Sequence, residues 1–61
     1  MDEEFTKDQI IEMIRINRKD IKHWESARKN AETFEQLDTA EKNLYRHMLR
    51  QIRFEEYLEK L

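Results

Sequence analysis

The side chains in this sequence that are suited to acid–base, nucleophilic or metal chemistry are few and scattered. His23 and His47 are the two histidines, and Ser26 is the single serine. The chain has no cysteine, which excludes disulfides and thiolate metal ligands. An antiparallel pair of helices would bring the histidines to within about one turn of each other, yet neither belongs to the i, i+4 pair of ligands typical of a helical zinc site. We therefore interpret both as surface histidines and expect no catalytic site, metal or cofactor.

Two stripes of basic side chains offer a different chemistry, the binding of anions. Each stripe repeats at spacings that place its members along one side of a helix. They are Arg15, Arg18, Lys19 and Lys22, and Lys42, Arg46, Arg50 and Arg53. A basic band of this kind can bind nucleic acid or an acidic protein surface. Because the net charge is −2, we prefer the interpretation of a solvated face balanced by neighbouring glutamates.

The elements that must position these side chains are helices. Charged residues of both signs make up 43% of the chain, and glycine and proline are absent, which disfavours tight hairpin turns between strands. Four apolar residues and one polar residue follow one another at spacings of 4, 3, 4 and 3 residues, so they form a line along one side of a helix. This line consists of Ile10, Ile14, Asn17, Ile21 and Trp24. The sequence therefore predicts an all-α protein.

The ends of the first helix carry recognisable capping signals. Thr6 and Gln9 form a capping-box pattern before the apolar line. Arg28 and Lys29 place positive charge near the C-terminal end, and Asn30 suits the left-handed residue that often follows a last turn. We predict a first helix over residues 7–29.

The start of the second helix is less sharply defined by the sequence. Two capping patterns compete, Thr33 with Gln36 and Asp38 with Glu41. We therefore predict a turn within residues 30–38, and a second helix that begins at residue 34 or 39, with a kink or short separate turn before residue 39, and ends near residue 60. Its predicted apolar line contains Leu37, Ala40, Leu44, Met48, Ile52 and Leu58.

These patterns predict one domain over residues 1–61, an antiparallel two-helix hairpin. Two helices bury only one stripe each, so we expect two copies to form a four-helix bundle. A long continuous helix in a parallel coiled coil is left open. Asn17 either sets the register at the interface between copies or lies at the edge of the apolar face. The residues predicted in the core or in that interface are Ile10, Ile14, Asn17, Ile21, Trp24, Leu44, Met48 and Ile52.

Two short segments resemble known families. Residues 34–38 resemble the S-Q-E-L-D motif of the small sporulation phosphatases that act on phosphorylated response regulators, which are helical hairpins of this length. Leu37 and Asp38 agree with that motif, Gln36 is displaced and the serine is absent, and the resemblance implies a functional Asp38. Residues 44–49 resemble a segment of the small cyanobacterial adaptors that direct phycobilisome degradation. We assign the chain to neither family.

The function that the sequence favours is protein binding by a helix face. No apolar stretch has the length of a signal-peptide core or a membrane span, so we expect a cytoplasmic protein without membrane contact. The small size and the initial Met1 suit a bacterial or phage protein. We expect a regulator, adaptor or inhibitor that forms a homodimer and binds a protein partner. The predicted partner-binding residues are Tyr45, Leu49, Phe54, Tyr57, Arg46, Arg50 and Arg53. One alternative is a nucleic-acid-binding dimer that uses the basic stripes, and a second is a hairpin phosphatase centred on Asp38.

Overall fold

A computed structural model describes residues 5–61 as two α-helices joined by a short loop. Helix α1 spans Lys7–Lys29 and helix α2 spans Phe34–Glu59. The helices run antiparallel and pack against each other. This arrangement confirms the predicted all-α hairpin and excludes the single continuous helix.

The start of α1 is fixed by the predicted capping box. The backbone N–H of Gln9 donates to Thr6 Oγ1 over 3.1 Å, and the backbone N–H of Thr6 donates to Gln9 Oε1 over 2.9 Å. Two N–H groups that would otherwise lack a partner at the helix start are thereby satisfied. The capping box is therefore consistent with a helix that begins at Lys7.

The loop between the helices is shorter than the sequence suggests. Asn30 caps α1 with φ −99° and ψ 11°, and its N–H donates to the Ser26 carbonyl over 2.9 Å. The prediction of a left-handed Asn30 is therefore wrong, because the backbone N–H of Asn30 already has a partner within a right-handed last turn. Thr33 caps α2 by accepting from the N–H of Gln36 over 3.1 Å. The loop occupies residues 30–33, and α2 continues through residue 39 as one helix.

The core is narrow and lies between the two helices. The buried side chains are Ile10, Ile14 and Asn17 on α1 and Ala40 and Leu44 on α2. Half-buried side chains extend this packing toward both ends, namely Ile21, Trp24, Leu37, His47, Gln51, Phe54, Tyr57 and Leu58. The inner side of α1 is therefore the line that the sequence predicts.

The inner side of α2 differs from the prediction. Met48 and Ile52 are 49% and 51% exposed, so their placement in the core of the hairpin is wrong. The inner side passes instead through His47, Gln51 and Phe54, which are half-buried. The physical reason is the polar side chain of Asn17, which requires hydrogen-bond partners on the facing helix. Whether Met48 and Ile52 belong to an interface between copies stays a prediction.

Candidate protein-binding surface

A buried hydrogen-bond network at the centre of the hairpin determines which side of α2 faces outward. Asn17 is 2% exposed. Its side-chain amide donates to the carbonyl of His47 over 2.8 Å and to Gln51 Oε1 over 3.1 Å. Its carbonyl oxygen lies 2.9 Å from His47 Nδ1, which donates when that nitrogen carries the proton. Asn17 therefore fixes the register between the helices of one chain, and both sequence interpretations of this residue are replaced.

The network reaches solvent on its α1 side. Asp20 Oδ2 lies 4.0 Å from His47 Nδ1, with the two side chains 47% and 14% exposed respectively. His47 is thus not the surface histidine that we predicted. His23 is exposed, and its ring lies edge-on to Trp24 with centroids 4.9 Å apart. Within residues 5–61, no group of three histidine, aspartate or glutamate side chains is placed to hold a metal ion.

Asp38, the residue implied by the phosphatase resemblance, lies inside the first turns of α2. Its Oδ2 is 3.1 Å from Lys42 Nζ, and the side chains of Asp38 and Lys42 are 44% and 73% exposed. This i, i+4 pair is an ordinary surface contact of a helix. Asp38 does not cap a helix, because α2 begins at Phe34.

Two of the three aromatic residues predicted to bind a partner are engaged within the hairpin. Phe54 and Tyr57 are half-buried and line a groove with Phe5 and Met13. The Phe5 and Tyr57 rings meet edge to face with centroids 6.3 Å apart, and the Phe5 N–H donates to the Tyr57 hydroxyl oxygen over 3.3 Å. Phe54 and Tyr57 are therefore less accessible than Tyr45, which is 66% exposed, and partner binding by any of the three stays a prediction.

The exposed apolar side of α2 is a candidate binding surface, and we call it the outer face. It consists of Tyr45, Met48, Leu49 and Ile52, which are between 42% and 66% exposed. These positions recur at i, i+3, i+4 and i+7, so they lie on one side of the helix. Apolar anchors at this spacing are the pattern by which an amphipathic helix binds a protein groove.

The two basic stripes line different grooves. The Arg15–Lys22 stripe borders a groove of about 460 Å³ whose apolar lining comes from Ile11, Ile14 and Leu58. Arg46, Arg50 and Arg53 border a shallow groove of about 220 Å³ beside Leu49. The grooves do not join the two stripes into one anion-binding surface, and the alternative of nucleic-acid binding stays untested.

The residues that sequence reasoning missed are His47 and Gln51. Ala40, Leu44, His47, Gln51, Phe54 and Leu58 follow one another at spacings of 4, 3, 4, 3 and 4 residues. This second line contains two polar members, whereas the line through Met48 and Ile52 is apolar at those positions. The signal that identifies it is Asn17, because a polar residue on one buried line requires polar partners on the facing line.

Comparison with protein-family models, with curated proteins and with solved structures finds no match for this chain. Over residues 5–61, neither helix has an apolar stretch long enough to cross a bilayer.

Proposed function

We propose that this protein is a small protein-binding regulator, adaptor or inhibitor that docks through one side of α2. The observation that carries this proposal is the outer face, a cluster of large apolar side chains on a helix that already buries its other side against α1. An exposed apolar cluster rimmed by charge is typical of an interaction site.

The partner-binding part of this surface is the half that faces the α2 arginines. Tyr45 and Leu49 supply apolar contact area, and an aromatic anchor of this kind commonly dominates binding energy. Arg46, Arg50 and Arg53 lie beside Leu49. Their charge would steer an acidic partner and orient it on the helix, as rim charges do in other complexes.

Homodimerisation into a four-helix bundle is the second part of the proposal. Met48 and Ile52 are each about half exposed on α2, so the hairpin alone leaves large apolar side chains uncovered. A second copy packed into a four-helix bundle would cover such a face.

Partner binding is tested by comparing variants that are matched in exposure. Tyr45→Ala with Leu49→Ala removes the apolar contacts, and Ile16→Ala is the control, since Ile16 is 51% exposed on α1. Proteins captured from the source cells by the wild-type chain are identified by mass spectrometry, and the purified partner is titrated by calorimetry. We expect the double variant to weaken binding by about tenfold or more and the control to retain it.

Two results would contradict this proposal. One is unchanged affinity of the folded double variant for the purified partner. The other is capture dominated by nucleic acid, with affinity that falls steeply as salt concentration rises, which is the signature of phosphate contacts. That second result would favour the basic stripes as the functional surface.

A further inference from the structure

We infer that two copies meet with α1 of one copy against α2 of the other, and that opposite charges across this contact select that pairing. The inference rests on the homodimer of the proposed function. It adds which surfaces meet. Tyr45 belongs to the line that would meet the second copy, so Leu49 and the arginines of α2 are left for the partner protein.

The α1 side of this contact is a basic line with an apolar edge. Ile11, Arg15, Arg18 and Lys22 follow one another at spacings of 4, 3 and 4 residues, so they lie on one side of α1. All four are exposed. They border the groove of about 460 Å³ that Leu58 closes from α2. An occupant that matches this groove carries apolar side chains together with carboxylates.

The chain itself contains such an occupant on α2. An exposed line there has apolar residues in its middle and carboxylates at its ends. It runs through Glu41, Tyr45, Met48, Ile52, Glu55 and Glu59 at spacings of 4, 3, 4, 3 and 4 residues. A line with this heptad spacing is suited to pack along another helix. Its acidic ends complement the basic line of α1.

The hydrogen bonds of the hairpin set the level at which these lines would meet. Asn17 forms hydrogen bonds with His47 and Gln51, so these three residues lie at the same position along the helix axes, which we call their height. A two-fold axis parallel to the helices preserves height and places α1 of one copy beside α2 of the other. Arg15 then lies within about one turn of Glu55 of the second copy, and Lys22 within about one turn of its Glu41.

The competing arrangement of two copies is electrostatically unfavourable. A two-fold axis perpendicular to the helices would place α1 against α1, so that the basic lines of both copies face each other. Like charges brought together in an interface cost free energy and exclude wrong pairings. Charge therefore favours the α1–α2 pairing, while Met48, Ile52 and Ile11 supply the apolar area.

Charge reversal with complementation tests this pairing. One variant carries Arg15→Glu and Lys22→Glu, and the other carries Glu41→Lys and Glu55→Lys. Each variant alone would face like charge, so we expect the dissociation constant of its dimer to rise by at least tenfold. In an equimolar mixture every contact again joins opposite charges, and we expect a heterodimer. The measurement is sedimentation equilibrium, with helicity checked by circular dichroism.

A matched control carries Arg46→Glu and Arg50→Glu, which changes the net charge by the same amount but away from the contact. We expect its dimer to persist.

Reversal variants that dimerise like the wild type, or a mixture that stays monomeric, would overturn the pairing while the homodimer stands. A monomeric wild type would overturn both, whereas partner binding measured with Leu49→Ala alone, at a residue outside this contact, stands apart from this result. Should a reversal variant lose helicity, Arg15→Gln with Lys22→Gln repeats the test, and an unchanged dimer would contradict the pairing.

Discussion

The two helices of this hairpin differ in the number of apolar sides that they carry. On α1, one line dominates, and it is the line that packs against the other helix. On α2, two lines compete. The line through Met48 and Ile52 is richer in apolar side chains but faces outward, while the line through His47 and Gln51 faces α1.

This difference shows that polar matching can decide which side of a helix is buried. Packing Asn17 against Met48 and Ile52 would leave its buried amide without partners, at a cost of about 1–3 kcal/mol. The observed side of α2 satisfies that amide completely, and no buried side-chain polar atom within residues 5–61 lacks a partner. The apolar line that is left over on α2 becomes the surface available for binding.

The largest expected effect compares one aliphatic residue from each line of α2. Leu44→Ala removes a buried side chain and should lower the free energy of unfolding by about 2–5 kcal/mol. Ile52→Ala should cost the isolated hairpin less than about 1 kcal/mol, because half of this side chain is already exposed. Thermal and urea unfolding measure both effects.

Unfolding measured over a range of protein concentrations extends the same comparison. The Leu44→Ala effect should be independent of concentration, whereas the Ile52→Ala effect should grow where the wild type is dimeric, because only the dimer uses Ile52. Equal losses from both variants at low concentration would contradict the assignment of inner and outer lines.

A second prediction concerns the buried amide. Asn17→Ala removes the side-chain bonds to the His47 carbonyl and to Gln51 Oε1 and should cost about 1–3 kcal/mol. Asn43→Ala is the matched control, since Asn43 only bonds back to the Thr39 carbonyl within its own helix. That control should change stability by no more than ~0.5 kcal/mol. Similar values for the two variants would show that the network does not determine the register.

A third prediction compares the two helix starts. Thr6→Ala and Thr33→Ala each remove one side-chain acceptor and should each cost about 1 kcal/mol. Only the Thr6 box is reciprocal, because Gln36 accepts from the N–H of Glu32 rather than from Thr33. We therefore expect Thr6→Ala to have the larger effect in chemical denaturation, and the reverse order would contradict this reading of the caps.

The smallest expected effect is at the surface of α2. Asp38→Asn removes the exposed pair with Lys42 and should cost no more than ~0.5 kcal/mol. A loss well above that value, seen in the same unfolding experiment, would indicate a structural role for Asp38 that its position on the surface does not explain.

Much of α1 follows from the sequence, because its local signals agree with one another. The Thr6–Gln9 box sets its start, and Ile10 and Ile14 belong to its single apolar line. For α2 the local signals conflict. Its inner side depends on a contact with a residue more than 25 positions away in the chain, and apolar spacing alone gives no weight to such a contact. The exposure of Met48 and the burial of Phe54 follow from that one choice of side.

The candidate surface was predictable only in part for the same reason. Tyr45 and Leu49 lie on the outer face as expected, whereas Phe54 and Tyr57 turn toward α1 once His47 faces Asn17. A rotation of the helix moves every residue of a line together. An error about one buried position therefore changes the predicted exposure of several anchors at once.

The most direct test of this account is the environment of the Asn17 side-chain amide, observed by NMR spectroscopy. We predict amide protons that exchange slowly with water and show nuclear Overhauser effects to His47 and Gln51, with none to the Met48 methyl group. A rapidly exchanging Asn17 amide, with Met48 and Ile52 in contact with Ile14 and Asn17 of the same chain, would contradict the account. The outer face would then be the core, and both proposals built on it would fail.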